Sequence, residues 1–518
     1  LSLQGKEKSI NTDFDIAIVG YGPIGATLAN ALGQLGYRVG VFEREQSVYH
    51  MPRASHLDAE TLRVFQSLDL ADHMVRYLIG AKGYDYVNEE GKVLLKFAKP
   101  EGKSSVHGWN HHYRFYQPTL EKILREGVER FPNVEVFLNS NVTELKQEDQ
   151  YVTIAVQSTE ASNESVSQYT ASFVVGCDGG RSTVRQHMGI EMYDIGLRQK
   201  WLVVDVKLNE GTKRPDTMPE VGIQYCEPSR PITYVPEIGD HDRFRWEMML
   251  MPGETKEEME KPEKVWSLLS RWLKPEQAVL ERAAVYVFHS VIAQEWRVGR
   301  MLLAGDAAHQ TPPFLGQGMC AGIRDVSNLV WKLDLVLKGR SNIRLLDSYQ
   351  SERTYHVRKF INMATDLGKV ITVTDRGKAA ERDLHFLSDE PKTWYQPDPS
   401  LGWGVFLTSH PMAGFVFPQP RLKDGRRLDE VVGLGFAVIG TPEVFAGFSD
   451  ETRATWHELG VVVINDDGEE VRKICEEHGA QAFIIRPDRY VYGAVKSAAD
   501  MDAMTKQLKQ DIVSAFVY

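Results

Sequence analysis

At 518 residues, with 42% hydrophobic and 25% charged residues, the chain has ordinary globular composition and length for two or three domains with substantial cores. Its formal net charge of −11 excludes a surface built to hold nucleic acid, and no apolar run approaches the ~20 residues that span a bilayer. The four cysteines, Cys177, Cys226, Cys320 and Cys475, lie far apart with no CxxC pair, which excludes a disulfide framework or a zinc site and fits a reducing cytoplasm.

The first residues, "LSLQGKEKSINTD", are polar and read as a leader outside the fold. Asp15 to Val19 then predicts a short buried strand, a β-branched run bounded by glycine. Gly20, Gly22 and Gly25 fit G-x-G-x-x-G at the turn into a helix, where they allow a tight turn, close approach to a pyrophosphate, and close helix–strand packing. Pro23 sits inside that turn. The helix runs from Ile24 through Leu28, Leu32 and Leu35 and stops at Gly36. A second strand, Arg38 to Phe42, ends at Glu43 and Arg44, near the ~20-residue offset at which a carboxylate meets a ribose. Strand, glycines, helix, strand and acid in that order predict a dinucleotide site, and the acid disfavours a 2′-phosphate without choosing between NAD and FAD.

Farther along, His111–His112 has no second ligand pair at metal spacing and reads as surface or packing. "FVVGCDGGRSTVR", Phe173 to Arg185, contains Asp178–Gly179, by itself an ordinary turn. Alternation around Ile223–Tyr225, Ile232–Tyr234 and Phe244–Met248 predicts antiparallel strands, with Tyr225, Arg230, Tyr234 and Arg245 as polar candidates for substrate contact. An inward arginine there would clamp a carboxylate.

In "RMLLAGDAAHQTPPFLGQGMCAGIRDVSNLVWKL", Met301 to Leu303 is a strand and Gly305–Asp306 a tight turn. Pro312 and Pro313 stiffen the next loop, and Gly316 and Gly318 let backbone approach a flat ring. A helix starting near Met319 and Cys320 would aim free N–H groups at that ring. Residues 376–399, rich in charge and proline, read as a linker. "GLGFAVIG" at Gly433–Gly440 has the wrong glycine spacing for a second dinucleotide site and reads as a hairpin or strand edge. The tail from 400 to 518 has its own apolar strands and an amphipathic closing helix.

The three glycine-rich stretches together resemble the fingerprints of the class A, para-hydroxybenzoate hydroxylase-like FAD-dependent aromatic monooxygenases, nearest to the hydroxyphenylpropionate and phenol hydroxylase branch. The resemblance implies an α/β fold. A discontinuous Rossmann-type FAD-binding domain would take 12–75, 115–195 and 285–375, and an antiparallel-sheet substrate domain 76–114 and 196–284. A thioredoxin-like C-terminal domain at 400–518 would pack or meet another subunit rather than do redox work, since it lacks CxxC.

The implied activity consumes NADH or NADPH and O2 to hydroxylate a phenolic ring through a flavin C4a-hydroperoxide, in cytoplasmic catabolism of aromatic compounds, with a homodimer as one admissible assembly. A halogenase, a reductase or a non-catalytic flavin protein on the same fold are the alternatives. The FAD contacts implied are Gly20, Gly22, Pro23, Gly25, Glu43, Arg44, Arg53, Gln117, Asp178, Gly179, Arg181, Gly305, Asp306, Pro312, Gly316, Gly318, Met319 and Cys320, with Asp178 and Arg181 also meeting the nicotinamide cofactor in transit. His56, in "MPRASHL", falls in the loop that the resemblance places beside the isoalloxazine and suits a phenol-activating base. Tyr225 and Arg245 complete the catalytic expectation, and Arg230, Tyr234 and Pro313 the substrate contacts.

Overall fold

The computed structural model describes residues 11–49, 51–97, 105–160, 165–387, 392–394 and 399–514. The expected leader lies outside the described residues as far as residue 10; Thr12 already folds in, its carbonyl held by Arg38 Nη1 at 2.7 Å.

Strand Phe14–Val19 lies at the centre of a parallel layer because Ile16, Ala17 and Ile18 are fully buried and can face helices on both sides. It pairs in parallel with Val39–Phe42 and with Val166–Gly176; Val134–Phe137 and Met301–Leu303 extend the layer on either side. Helix Pro23–Gln34 follows the first strand, and helix Gly318–Leu337 packs beside it, burying Val326, Leu329 and Leu333. A parallel sheet of this kind gathers its strand ends, turns and helix N-termini along one edge, where ligands bind.

A nine-stranded sheet forms the second layer. Its central strands Met192–Leu208, Arg243–Met249, Ile232–Val235 and Gly222–Tyr225 run antiparallel, and Tyr84–Val87 joins the last of them in parallel. The expected strands therefore form. Between the two layers a small sheet pairs His56–Asp58 and Ile79–Gly80 with His112–Arg114.

Two expectations fail. The segment read as a linker contains helix Arg376–Leu387, held down by Ala379 and by Arg382 Nη bonds to Val370 O and Cys226 O, and its strand Lys392–Trp394 pairs with Val93–Phe97 at the edge of the nine-stranded sheet. Residues 388–391 and 395–398 of that segment lie outside the described residues. The second concerns "GLGFAVIG": Ala437–Gly440 is an interior strand, fully paired on both sides by Val462–Asn465 and Ala482–Ile485. With Val491–Val495 these strands make one parallel pair followed by an antiparallel hairpin, with helices between and after them, which is the thioredoxin-like arrangement.

This C-terminal unit is tied to the rest by buried ions. Arg486 pairs with Glu352 of helix Asp347–Ile371, which also holds Lys332, and Asp429 lies between Arg63 and Arg489. No helix among the described residues is long and apolar enough to cross a membrane.

Candidate active site

A cavity of about 710 Å³ runs from the edge of the parallel sheet to one face of the nine-stranded sheet. At the first end the fingerprint turn is built as its spacing requires. Gly20 takes φ +97°, and a Cβ there would sit 2.6 Å from Cys177 O, so a side chain is excluded twice over. Gly25 does not line this cavity; a Cβ on it would come within 2.0 Å of Gly20 O, so its part is helix–strand packing. Glu43 accepts from Tyr21 N at 2.7 Å and Glu45 N at 3.0 Å, which fixes its carboxylate at the cavity rim.

Helix Pro23–Gln34 begins at Gly22 with no side chain capping its first N–H groups, and helix Gly318–Leu337 likewise begins uncapped at Gln317. Both N-termini reach the cavity through Gly22, Gly318 and Met319. Uncapped N–H groups carry positive partial charge suited to an anion. Two further buried atoms there have no partner: Asp178 Oδ1 and Arg125 Nε. Asp178 Oδ2 caps helix Thr183–His187 through Thr183 N at 2.7 Å, leaving Oδ1 turned to the site, and burial raises its carboxyl above the ordinary range. Asp306 opens into the cavity, and the surrounding walls raise its carboxyl too. Uncapped donors at one end, the carboxylates of Asp178 and Asp306 along the middle and backbone bare of side chains at Gly316 and Gly318 fit a dinucleotide that is anionic at its diphosphate and carries a hydroxylated chain and a planar ring.

The expected residues Gly20, Gly22, Pro23, Glu43, Arg44, Arg53, Gln117, Asp178, Gly179, Arg181, Asp306, Pro313, Gly316, Gly318 and Met319 all line the cavity. Gly305, Pro312 and Cys320 do not. Gly305 supports the Asp306 turn at φ +64°, Pro312 leads into the turn Pro313–Leu315, and Cys320 is buried with Sγ 3.8 Å from His56 O. Gln117 contributes through its carbonyl oxygen, which accepts from Arg53 N and Ala54 N at 2.8 and 2.7 Å and so shapes the loop leading to His56.

At the other end the strands present alternate residues to the cavity: Gln224, Thr233, Val235, Arg245 and Glu247 face it. Tyr225 and Tyr234 therefore face away. Tyr225 packs on Trp272, whose Nε1 donates to its hydroxyl at 3.2 Å, and the Tyr234 hydroxyl donates to Pro219 O. Arg230 sits in the turn between strands, paired with Glu254 at 2.6 Å. The expected substrate contacts are corrected accordingly: Tyr225 and Tyr234 lie on the expected strands but one residue off the inward face, and Arg230 lies in a turn.

Arg245 is on the cavity face but is spent on protein. Its Nε and Nη2 reach Asp205 at 2.7 and 3.3 Å, Nη2 reaches Pro52 O at 2.8 Å, and Nη1 reaches Arg53 O at 2.8 Å and Ser55 Oγ at 3.5 Å. A guanidinium has five N–H donors, and all five are engaged. It braces the loop 52–55 against the sheet, so the carboxylate clamp expected of it is absent.

His56 lies at the junction of the two ends. Its Nδ1 is 3.1 Å from Gly316 O and its Nε2 is 3.0 Å from His112 Nδ1. A carbonyl only accepts, so Nδ1 carries the hydrogen and Nε2 is left to accept from His112. Gly316 allows this approach: at φ +62°, a Cβ there would sit 2.7 Å from His56 Cβ. Burial lowers the His56 pKa below its usual value, against the pull of Asp58. His112, expected as surface or packing, lines the cavity instead. Its nearness follows from the antiparallel register, which pairs Asp58 with His112 and places His56 diagonal to it; the isolated "HH" carries no such signal. Arg125, Glu247, Tyr84, Tyr86 and Trp394 are further lining residues the sequence did not single out.

The fold and site define a flavoprotein of the aromatic monooxygenase class. Residues 13–364 match the family model described as an FAD binding domain, and 414–511 match the HcaD C-terminal domain. The chain belongs to the FAD-dependent aromatic hydroxylases. It is 38% identical over 95% of its length, and 94% of the relative's, to a probable NADH-specific resorcinol 4-hydroxylase of Rhodococcus jostii (strain RHA1). It is 32% identical over 94% of its length, and 92% of the relative's, to the 3-(3-hydroxy-phenyl)propionate/3-hydroxycinnamic acid hydroxylase of Escherichia coli (strain K12). In fold it is similar to aklavinone-11 hydroxylase in its complex with FAD and aklavinone, with TM-score 0.80, 22% identity, and coverage of 98% of this chain and 100% of that one. The enzyme is thus an FAD-dependent aromatic-ring monooxygenase that uses a reduced nicotinamide and O2, the first of the expected activities.

Proposed function

We propose that the enzyme hydroxylates a small phenol of the resorcinol type with NADH as reductant, and that His56 and His112 form the proton-accepting pair beside the ring. The observation that carries this reading is the 3.0 Å contact between the two imidazoles where the glycine loop meets the substrate sheet. The name of the Rhodococcus relative supports both the reductant and the substrate type.

For the cofactor, the same reading gives Glu43 to a ribose, the Gly22 helix start with Arg125 to the diphosphate, Asp306 to the ribityl chain, and Gly316–Met319 to the ring. Arg53 and Arg181 would meet the remaining polar edge, Arg181 and Asp178 also meeting the visiting nicotinamide. FAD, when bound, accepts hydride and activates O2, so that one oxygen enters the ring and the other leaves as water. The protein's own part is to hold the phenol, keep water out and take its proton. A phenol has pKa ~10, and losing the proton makes the ring a better nucleophile. His56, kept neutral by burial and oriented by Gly316 O, gives the pair its accepting capacity at neutral pH. Phe97, Phe288, Phe314 and Trp394 supply apolar walls. The domain division follows the same logic, the parallel layer serving FAD and the nine-stranded sheet the substrate.

The test is NADH oxidation by the purified holoenzyme with resorcinol, product and peroxide being quantified together. Coupled formation of a trihydroxybenzene is expected. His56→Ala should retain FAD yet divert most reducing equivalents to peroxide; an unchanged product yield would remove the pair from the mechanism, and failure of the wild type to hydroxylate resorcinol would overturn the substrate reading.

A further inference from the structure

Four cavity-facing residues stand in one cross-strand row. Tyr86 is paired with Gln224, Gln224 with Thr233, and Thr233 with Glu247, each on the next strand of the nine-stranded sheet. Side chains in register on one face of a sheet are neighbours, so the row forms a polar ladder in an otherwise aromatic wall. Only its middle is satisfied internally: Thr233 Oγ1 donates to Gln224 Oε1 at 2.6 Å.

The two ends are not satisfied. Tyr86 is 1% exposed, and its hydroxyl has no hydrogen-bond partner. Glu247 is 9% exposed, and the nearest cation to its carboxyl is Arg245 Nη1, at 3.9 Å. Burial raises its carboxyl above the ordinary range, against the charges of Arg245 and Arg282, and no hydrogen bond contributes. A buried hydroxyl or carboxyl without a partner forfeits the hydrogen bonds it had to water, the more so when charged, so such groups are kept where a ligand completes them.

The charge pattern selects the ligand. In the neighbouring row, Asp205 is paired across strands with both Arg245 and Arg282, of which only Arg245 lines the cavity; with Glu247 beside Arg245, two positive and two negative charges balance and leave no surplus cation for an anionic ligand. With Arg245's donors all engaged, and Arg282, whose Nε and Nη2 lack hydrogen-bond partners, outside the cavity lining, this wall turns no free guanidinium to the cavity among the described residues, whereas Glu247 presents an acidic group to whatever enters.

We propose that the Tyr86–Gln224–Thr233–Glu247 ladder is a specificity subsite that takes the second hydroxyl of a neutral dihydroxyarene and turns away phenols bearing a carboxylate. This rests on the functional reading above and names what discriminates within it. The substrate's far hydroxyl donates to Glu247 and accepts from Tyr86 or Gln224, while an anionic side chain at the same place meets a like charge in a water-poor site.

The test compares resorcinol, phenol, 3-methoxyphenol, which lacks the second donor, and 3-(3-hydroxyphenyl)propionate, by kcat/KM for coupled hydroxylation and by the dissociation constant from perturbation of the bound FAD spectrum. Wild type should favour resorcinol over the others. Glu247→Gln should lower the resorcinol-to-propionate ratio at least tenfold, chiefly by improving the acid. Tyr86→Phe, which keeps the ring and its packing on Phe97, should lower several-fold the ratio of resorcinol to phenol, which offers no second oxygen for the Tyr86 hydroxyl. Ratios within twofold of wild type in the folded, FAD-replete variants would overturn the subsite. If Glu247→Gln does not fold, Tyr86→Phe decides by itself. If wild type binds resorcinol without hydroxylating it, the functional reading falls, and the spectral binding ratios still decide the ladder.

Discussion

Arg245→Met separates a structural strut from a substrate clamp. The change removes five hydrogen bonds and leaves Pro52 O and Arg53 O without the donors that hold loop 52–55 to the sheet. Each buried carbonyl so orphaned costs about 1–3 kcal/mol. Asp205 keeps Arg282 at 2.7 Å, so the variant avoids part of the ~3–5 kcal/mol that follows when a buried charge loses its only partner. A net loss of about 3–5 kcal/mol is expected; at roughly 2–4 °C per kcal/mol for a cooperative unit of some 150–250 residues, that is a fall of about 6–20 °C in the thermal midpoint of the holoenzyme. Because His56 follows the released loop, coupling of NADH oxidation to product should fall with it. Arg245→Lys, with three donors on a single nitrogen, should recover less than half the stability. The decisive comparison is calorimetry beside steady-state kinetics on resorcinol and on a carboxylated phenol. A midpoint unmoved within about 1 °C, with KM raised for the carboxylated substrate alone, would refute the strut and restore the clamp.

Gly25→Ala should fold poorly around FAD or lose it, because the new methyl meets Gly20 O at 2.0 Å; at least tenfold weaker flavin binding is expected by fluorescence titration, and wild-type affinity would show that the turn yields. Tyr225→Phe and Tyr234→Phe, on the far face of the sheet, should leave KM and kcat within about twofold while costing ~1 kcal/mol each for a lost hydrogen bond; a large KM change would place them in the site after all. Glu352, held at about 2 by Arg486 and Lys332 against its burial, has a folded pKa below its unfolded one. Its contribution is therefore complete above the unfolded value near 4.3 and is lost as pH falls toward about 2. Acid titration followed by tryptophan fluorescence should show the C-terminal unit loosening through that window, and Glu352→Gln should flatten that response and destabilise at neutral pH by ~3–5 kcal/mol. The depressed His56 pKa predicts that its imidazole stays neutral below pH 6.5, so its NMR titration midpoint should fall under that value; a midpoint above it would contradict the buried, neutral partner of His112.

The cofactor half of this protein was written locally. Gly20, Gly22, Gly25 and Glu43 lie within one strand–turn–helix–strand unit, and the steric demands on each are set by a few neighbouring residues, so spacing alone specifies where a dinucleotide goes. The Gly305–Met319 stretch is of the same kind. The strands of the nine-stranded sheet were also legible from their alternation, but alternation names two faces without saying which is inward; that depends on how the sheet lies over the parallel layer, and it left Tyr225 and Tyr234 outside and brought Gln224, Thr233 and Glu247 in. His112 and Trp394 show the same limit more sharply, the first carried to His56 by a three-residue strand pairing and the second by an edge strand inside an apparent linker. Motifs that bind a shared cofactor are short-range and survive translation into sequence, whereas a substrate wall is assembled from residues far apart in the chain, and only the tertiary packing decides which of them meet.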